Sequence, residues 1–189
     1  VWRTPKYQPS KSHFEILLGL PISLTETTHI AQMVQDATDN FSPEYGHFKI
    51  KPHPTYSIKE VQSLLGLQET ENIEFVSGDF HDVIEKSNLL ISNSSSVCLE
   101  SLAKGVPVII VGSAIGVTQN PIPSQLAPEM WREVHNATTL SESIQRYNIS
   151  RSDDRISFQA IGSKIRADYF NQVTIASVQN FVFGSSTDV

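Results

Sequence analysis

The stretch LLISNSSSVCLESLAKGVPVIIVG, residues 89–112, decides how this chain is read. Two short apolar runs, residues 89–91 and 106–111, flank a polar cluster and a segment of helical length. Apolar runs this short, bounded by turn formers, read as buried strands. The pattern is strand, tight polar turn, helix, strand. Asn93, Ser94, Ser95 and Ser96 stand where the first strand meets the helix, and Glu100 follows about one turn later. A helix N-terminus offers spare backbone N–H groups, and hydroxyls beside them complete an anion site. The turn is read here as a place for the phosphate of a nucleotide.

Upstream, the same alternation repeats. Residues 14–20 (FEILLGL) form a strand candidate that ends at Gly19 and Pro21. Residues 24–41 carry Ile30, Met33, Val34, Ala37 and Phe41 at helical spacing, with Thr25 as the expected cap. Residues 47–51 (HFKIK) alternate like a strand and stop at Pro52-His53-Pro54. Residues 57–65 read as a helix opened by a Ser57/Glu60 capping box. A strand over 73–76 is broken by Gly78, and a short helix over 79–87 turns Val83 and Ile84 inward. The order β-α-β-α-β-α-β-α-β predicts an α/β fold, a doubly wound Rossmann-like parallel sheet with helices on both faces. Ligands on such sheets bind at the carboxyl ends of the strands. Residues 19–23, 53–55, 77–79, 93–96 and 112–118 collect at that edge and are expected to meet in one crevice.

Downstream, residues 112–128 form a long loop, of the kind that often carries function. A short sixth strand is expected at 133–135 and a helix at 140–147. Residues 153–170 give a helix whose apolar face holds Ile156, Phe158, Ile161, Ile165 and Tyr169, and another helix covers 173–183. Residues 184–189 should fray. The expected organisation is a tail or linker over 1–12, with Pro5 and Pro9, a Rossmann-like domain over 13–150, and C-terminal helices over 151–189 packing on it.

The chain of 189 residues suits one domain. With 39% hydrophobic and 18% charged residues it is globular rather than disordered. The formal charge of −6 argues against a general nucleic-acid binder while leaving room for a local positive pocket. The longest apolar run is too short to span a bilayer, and residues 1–12 lack the apolar core of a signal peptide. Cys98 is the one cysteine, so no internal disulfide forms, and a reducing, cytoplasmic setting is expected. The sequons at Asn40, Asn93, Asn136 and Asn148 carry little meaning in that setting. The chain opens at Val1 rather than at a methionine and is read as part of a longer protein.

His53 sits between two prolines that fix its backbone at a strand end. A histidine there can donate to a phosphate oxygen and stabilise a leaving nucleotide; the plainer reading is a surface histidine in a proline turn. The serines read as simple helix caps or as hydroxyls that share one phosphate with the first N–H groups of the helix. No G-x-x-x-x-G-K-[ST] and no G-x-G-x-x-G occurs, so neither a P-loop nor its Mg²⁺ site is implied. Glu100 lies four residues after Ser96 and four before Lys104, all on one helical face. It reads either as an exposed ion pair with Lys104 or as a carboxylate for ribose hydroxyls, since helical side chains lean toward the N-terminus. Cys98, Leu99, Leu102 and Ala103 take the core side, Cys98 as a small buried hydrophobe. In Ser77-Gly78-Asp79, Gly78 lets a base approach the backbone closely; the plainer reading is a turn with Asp79 as a cap. His13, His29, His47, His81 and His135 show no paired ligand spacing, so no metal is expected.

Three pieces carry a family resemblance: Lys51-Pro52-His53-Pro54, the serines at 94–96, and ESLAKGVPVI from Glu100, an E-x-x-x-x-G-x-P-V segment. Over residues 14–147 the chain resembles the C-terminal, donor-binding half of a GT-B glycosyltransferase. The His-Pro and Ser-Ser combination is similar to that of bacterial sialyltransferases and Kdo-type capsule transferases, which use CMP-activated sugars. The resemblance implies a single lobe of a GT-B architecture acting in bacterial surface-polysaccharide biosynthesis. It implies a nucleotide-sugar donor, CMP- or UDP-linked, as substrate and no separate cofactor. Carried over, the donor site comprises Lys51, His53, Ser77, Gly78, Asn93, Ser94, Ser95, Ser96 and Glu100, with His53 as the catalytic candidate and Glu100 on the ribose. A glycan or lipid-linked acceptor would sit on an N-terminal lobe absent from this chain. That lobe would also supply the acidic D/E-D/E-G motif, which is not found here. Peripheral membrane association of the full-length protein is implied too. Residues 153–183 resemble closing helices that pack back on the other lobe, and the lobe by itself is expected to bind a nucleotide but transfer little sugar. Two alternatives share the fold. A UDP-sugar 2-epimerase lobe normally carries Ser-Gly-Gly and paired glutamates at this turn. A non-catalytic module of the receiver type needs clustered aspartates at strand ends, where only Asp79 stands.

Overall fold

The structure, a computed structural model, describes residues 14–93, 95–149, 152–170 and 175. Ser94, the tail over 1–12 and the helix expected over 173–183 with the end that follows it lie outside the described residues. Six strands form one sheet: β1 (Glu15–Gly19), β2 (His47–Lys51), β3 (Ile73–Phe75), β4 (Leu89–Ser92), β5 (Val108–Val111) and β6 (Trp131–Val134). Their order is β3-β2-β1-β4-β5-β6 and every neighbouring pair is parallel. This is the doubly wound, Rossmann-like arrangement that the alternating pattern predicts. β4 and β5 are buried at every position, as a central parallel sheet requires.

Six helices connect and cover the sheet: α1 (Leu24–Ala37), α2 (Ile58–Leu65), α3 (Phe80–Ile84), α4 (Val97–Ala103), α5 (Ala137–Ile149) and α6 (Ser152–Tyr169). α1 packs against α2 and α5, and α4 packs against α6. Right-handed crossovers put helices that follow opposite directions of strand addition on opposite faces.

Local chemistry explains where expected and observed elements differ. The cap of α1 is Ser23, whose Oγ accepts from the Glu26 N–H at 3.4 Å; Thr25 lies inside the first turn. That helix stops at Ala37 rather than Phe41 because Asp39, Asn40 and Phe41 all take positive φ, at 47°, 61° and 63°. The Thr38 hydroxyl accepts from the Phe41 N–H at 3.1 Å and stabilises the turn. The Ser57/Glu60 capping box forms as predicted. β6 begins at Trp131, and α5 begins at Ala137 because the Asn136 side chain accepts from the Thr139 N–H at 2.9 Å.

α6 lies across the C-terminal end of α4 at a glycine pair. A Cβ added to Gly162 would come within 2.5 Å of the Gly105 nitrogen and 2.7 Å of the Leu102 carbonyl oxygen. Gly105 itself has φ +75°, and its own Cβ would meet the Gln159 Cα at 2.9 Å. The Arg166 guanidinium donates to the Ala103 carbonyl at 3.3 Å, closing the end of α4. The crossing is short, so only Phe158 and Ile165 are fully buried and Ile161 partly. Ile156 stays 68% exposed and Tyr169 is exposed too, which narrows the apolar face expected for this helix.

On its other side α4 buries Cys98, Leu102 and Ala103, with Leu99 half-buried. The Cys98 thiol donates to the Asn93 carbonyl at 3.3 Å. Burial pushes this thiol up to about 12 from its ordinary 9.0.

Two measurements check this packing. Gly162→Ala forces overpacking at the α4–α6 crossing and should cost roughly 1–3 kcal/mol in urea unfolding; an unchanged midpoint would refute the crossing. Cys98, protonated and buried, should react with a thiol reagent far more slowly in the native protein than in denaturant at mildly alkaline pH. Because its folded pKa is raised, its contribution to stability is complete below pH 9 and is lost as pH climbs toward about 12.

Candidate active site

The sheet changes its direction of growth at β1, which has β2 on one side and β4 on the other. Loops leaving these strands diverge and open a crevice at the carboxyl edge. A cleft of about 540 Å³ lies there. Its floor and walls come from Gly19 to Ile22 after β1, Lys51 to Pro54 after β2, Gly78 to His81 at the start of α3, and Ser92 with Ser95 to Val97 around the start of α4. Four of the five stretches expected to meet do so. The fifth, residues 112–118, is not among the residues lining this cleft and is tied to the first turn of α1. There the buried Glu26 carboxylate, 6% exposed, accepts from the Ser113 hydroxyl at 2.6 Å and the Ala114 N–H at 3.4 Å.

Lys51 ends β2, in register with Gly19 of β1. Its carbonyl accepts from the Leu20 N–H at 3.0 Å, which extends the pairing past the strand and fixes the floor of the cleft. Beside it the Ser92 hydroxyl donates to the Gly19 carbonyl at 2.7 Å. Lys51 is only 8% exposed, yet it lines the cleft and has no carboxylate partner among the described residues. Removing an ammonium from water costs several kcal/mol unless an anion or hydrogen-bond acceptors compensate.

His53 is held in a turn. Its carbonyl accepts from the Tyr56 N–H at 2.9 Å, and its Nδ1 accepts from the Thr55 N–H at 3.2 Å with the Thr55 hydroxyl at 2.8 Å. A backbone N–H can only donate, so Nδ1 is the acceptor nitrogen and the neutral ring carries its proton on Nε2. The prolines and Thr55 thus fix both the position and the tautomer of His53. Tyr56 also donates its hydroxyl to the Ile22 carbonyl at 3.1 Å, tying this turn to the opposite rim.

Ser95 and Ser96 line the cleft, and Ser96 makes no capping bond to its own helix. α4 has only 7 residues, so the field of its backbone dipoles is that of a two-turn helix and the charged side chains dominate the site. Asn93 is buried just after β4, and its Oδ1 is a buried acceptor without a donor among the described residues. Gly78 has φ +96° and lines the cleft, while Ser77 faces a neighbouring cleft with Lys49, Asp82 and Lys86. Asp79 caps α3, its carboxylate accepting from the His81 N–H at 2.7 Å.

Glu100 does not pair with Lys104 and is not among the residues lining the cleft. Lys104 reaches across to Glu85 on the turn after α3, while the Glu100 Oε2 lies 3.6 Å from His81 Nε2. Cleft residues that the sequence did not single out are Phe80, His81, Ser92 and Val97. For His81 the available signal was its place one residue into a helix that starts at the carboxyl edge. No group of three metal-ligating side chains occurs among the described residues, nor is any helix there long and apolar enough to cross a membrane.

Residues 51–127, which include the His-Pro turn, the serine turn and Glu100, match a family model described as "Putative glycosyltransferase (DUF6716)". No curated protein sequence matches the chain. Among solved structures it is similar to CalG4, the calicheamicin glycosyltransferase, at 18% identity and a TM-score of 0.59, over 87% of this chain and 41% of that one. It is similar to a glycosyltransferase from Rickettsia africae ESF-5 at 17% identity and a TM-score of 0.58, over 86% and 45%. The S. aureus MnaA–UDP co-structure aligns at 19% identity and a TM-score of 0.54, over 80% and 40%. At these identities the likeness is one of fold. The chain spans about two fifths of the length of CalG4.

Proposed function

We propose that this chain is the nucleotide-sugar-binding lobe of a glycosyltransferase that acts in bacterial surface-polysaccharide biosynthesis. The observation that carries the reading is Lys51, a lysine only 8% exposed that lines the switch-point cleft together with His53, Ser95 and Ser96. An anion that enters this cleft satisfies all of them at once. The apolar rim of Pro21, Ile22, Pro52, Pro54 and Phe80 gives the uncharged part of the same ligand a surface to lie on. The family model matched over residues 51–127 and the UDP held by a protein of this fold support the choice of a nucleotide as that ligand.

In this reading the donor is a CMP- or UDP-linked sugar. Lys51, His53, Ser95 and Ser96 hold its phosphate; Ser94, Asn93 and Gly78 complete the surroundings, with Ser77 at the margin and Glu100 toward the ribose. During transfer the bond between the anomeric carbon and the phosphate oxygen breaks. The electron pair leaves with the nucleotide, whose phosphate gains one negative charge. In this reading the Lys51 ammonium and the His53 Nε2–H meet that growing charge and stabilise the transition state more than the bound donor. The acceptor, a glycan or a lipid-linked glycan, and the base that deprotonates it belong to the second lobe. The His-Pro and Ser-Ser pairing favours a sialyltransferase- or Kdo-transferase-like member of this architecture.

Calorimetric titration of CMP, UDP and GDP tests the reading. At least one should bind, and Lys51→Ala should weaken it by roughly 10- to 100-fold, the 1.5–3 kcal/mol of a hydrogen bond to a charged group. His53→Ala should weaken it by about tenfold. Failure of all three nucleotides at millimolar concentration, or unchanged affinity in Lys51→Ala, would sink the donor-site reading.

A further inference from the structure

Two segments at the carboxyl edge of the sheet carry exposed aliphatic side chains that the phosphate site does not use. After β1, Ile22 and Leu24 stand exposed where α1 begins; after β5, Ile115 is 73% and Val117 90% exposed. The two segments are bound to each other. The buried Glu26 carboxylate, on the first turn of α1, accepts from the Ser113 hydroxyl at 2.6 Å and the Ala114 N–H at 3.4 Å. The Ser113 N–H donates to the Thr118 hydroxyl at 3.0 Å, which closes the loop that carries Ile115 and Val117. Nearby hydroxyls are also spent internally: Thr27 donates to the Pro21 carbonyl at 3.1 Å and Thr28 to the Leu24 carbonyl at 3.0 Å. Polar atoms are thus turned to partners within the chain, while four aliphatic side chains are left to solvent.

The chemistry of this rim narrows what can cover it. Residues 19–28 hold a single charged group, the buried Glu26, and residues 112–128 hold none; neither segment has an aromatic residue. An anionic lipid surface is recruited by lysine and arginine. A protein partner is anchored by aromatic side chains and arginine. A glycan is oriented by placed hydrogen-bonding groups, and here the Thr27, Thr28 and Ser113 hydroxyls donate inward. Burial of aliphatic surface is the driving force that this composition leaves. The rim is also continuous with the cleft, because Pro21 and Ile22 line it. Resting on the nucleotide-sugar reading above, we propose that this rim binds an aliphatic chain carried by the acceptor. The acceptor is then an amphiphile: its polar, sugar-receiving end lies at the cleft, and its chain runs over Ile22, Leu24, Ile115 and Val117.

The test is NMR of the chain with labelled isoleucine, leucine and valine methyls, titrated with n-octyl and n-decyl β-D-glucoside below their micelle concentrations. Glucose is the headgroup control. Decyl glucoside should shift the methyls of Ile22, Leu24, Ile115 and Val117, and should bind roughly tenfold more tightly than octyl glucoside, the effect of burying two more methylenes. Glucose should shift none of them. Ile115→Ser combined with Val117→Ser should weaken decyl glucoside about tenfold and leave the affinity for UDP or CMP unchanged. Unaltered decyl glucoside affinity in that variant overturns the proposal, as do equal shifts with glucose alone. Two other results overturn it: methyl shifts that follow protein concentration without ligand, the mark of a contact between copies of the chain, and binding to phosphatidylglycerol vesicles but not to the glucosides. Decyl glucoside that leaves the four wild-type methyls unmoved overturns it whether or not the variant folds. Nucleotide binding without chain binding refutes the aliphatic rim and leaves the donor site standing. Chain binding without any nucleotide binding refutes the donor site, and with it the assignment of the chain to an acceptor.

Discussion

Lys51 is a lysine only 8% exposed, at the end of a strand whose neighbours offer it no carboxylate among the described residues. An ammonium taken fully out of water costs several kcal/mol. The fold carries this one because it borders an open cleft where solvent, or an anion, reaches it. A lysine in the same strand but two positions earlier meets a different fate. Lys49 is paired with Glu15 at 2.9 Å across β1 and β2.

The position of Lys51 follows from topology. β1 is central, and the chain adds strands first on one side of it and then on the other. Only at such a reversal do successive crossovers leave opposite faces of the sheet and part the loops at the carboxyl edge. The Leu20 N–H reaches back to the Lys51 carbonyl, and Ser92 ties the Gly19 carbonyl from the other side. The cleft floor is therefore an extension of the sheet, not a loop surface. His53 is rigid for a related reason: two prolines and Thr55 hold it within two residues of the strand end. The α4–α6 glycine crossing anchors the far end of the helix whose start carries the serines, so the two walls of the cleft are fixed independently.

The alternation of apolar runs with helical segments was legible because a parallel sheet buries its strands on both faces and each crossover needs a helix. The cleft's principal contributors were legible for the same reason: strand ends share an edge. Pairings between helices were not. Helical spacing puts Glu100 beside Lys104, but α3 and the turn after it supply closer partners to both, Glu85 to the lysine and His81 to the glutamate. No spacing rule within one helix contains that competition. The burial of Lys51 without a counter-charge was equally hidden, since it depends on what β1 and β4 bring beside it. Residues 112–118 were assigned to the crevice by their place after β5, but the buried Glu26 carboxylate draws Ser113 and Ala114 to α1. Ile156 was counted on an apolar face that the short glycine crossing does not extend far enough to cover.

Charge bookkeeping within the cleft bears on which half of a transfer reaction this lobe can perform. Its cationic and hydroxyl groups gather where a departing phosphate gains charge, which is leaving-group chemistry. Activation of an acceptor hydroxyl needs a base instead, within hydrogen-bond reach of the proton it takes. Asp79 is the one carboxylate among the residues lining the cleft, and it is committed as the cap of α3. Glu100 is not among the residues lining the cleft and lies 3.6 Å from His81 on α3. His53 is an acceptor at Nδ1, but that nitrogen is already occupied by Thr55. Asp79 and His53 are thus both engaged in holding the local structure, and the proposed reaction assigns this cleft leaving-group chemistry rather than activation of an acceptor.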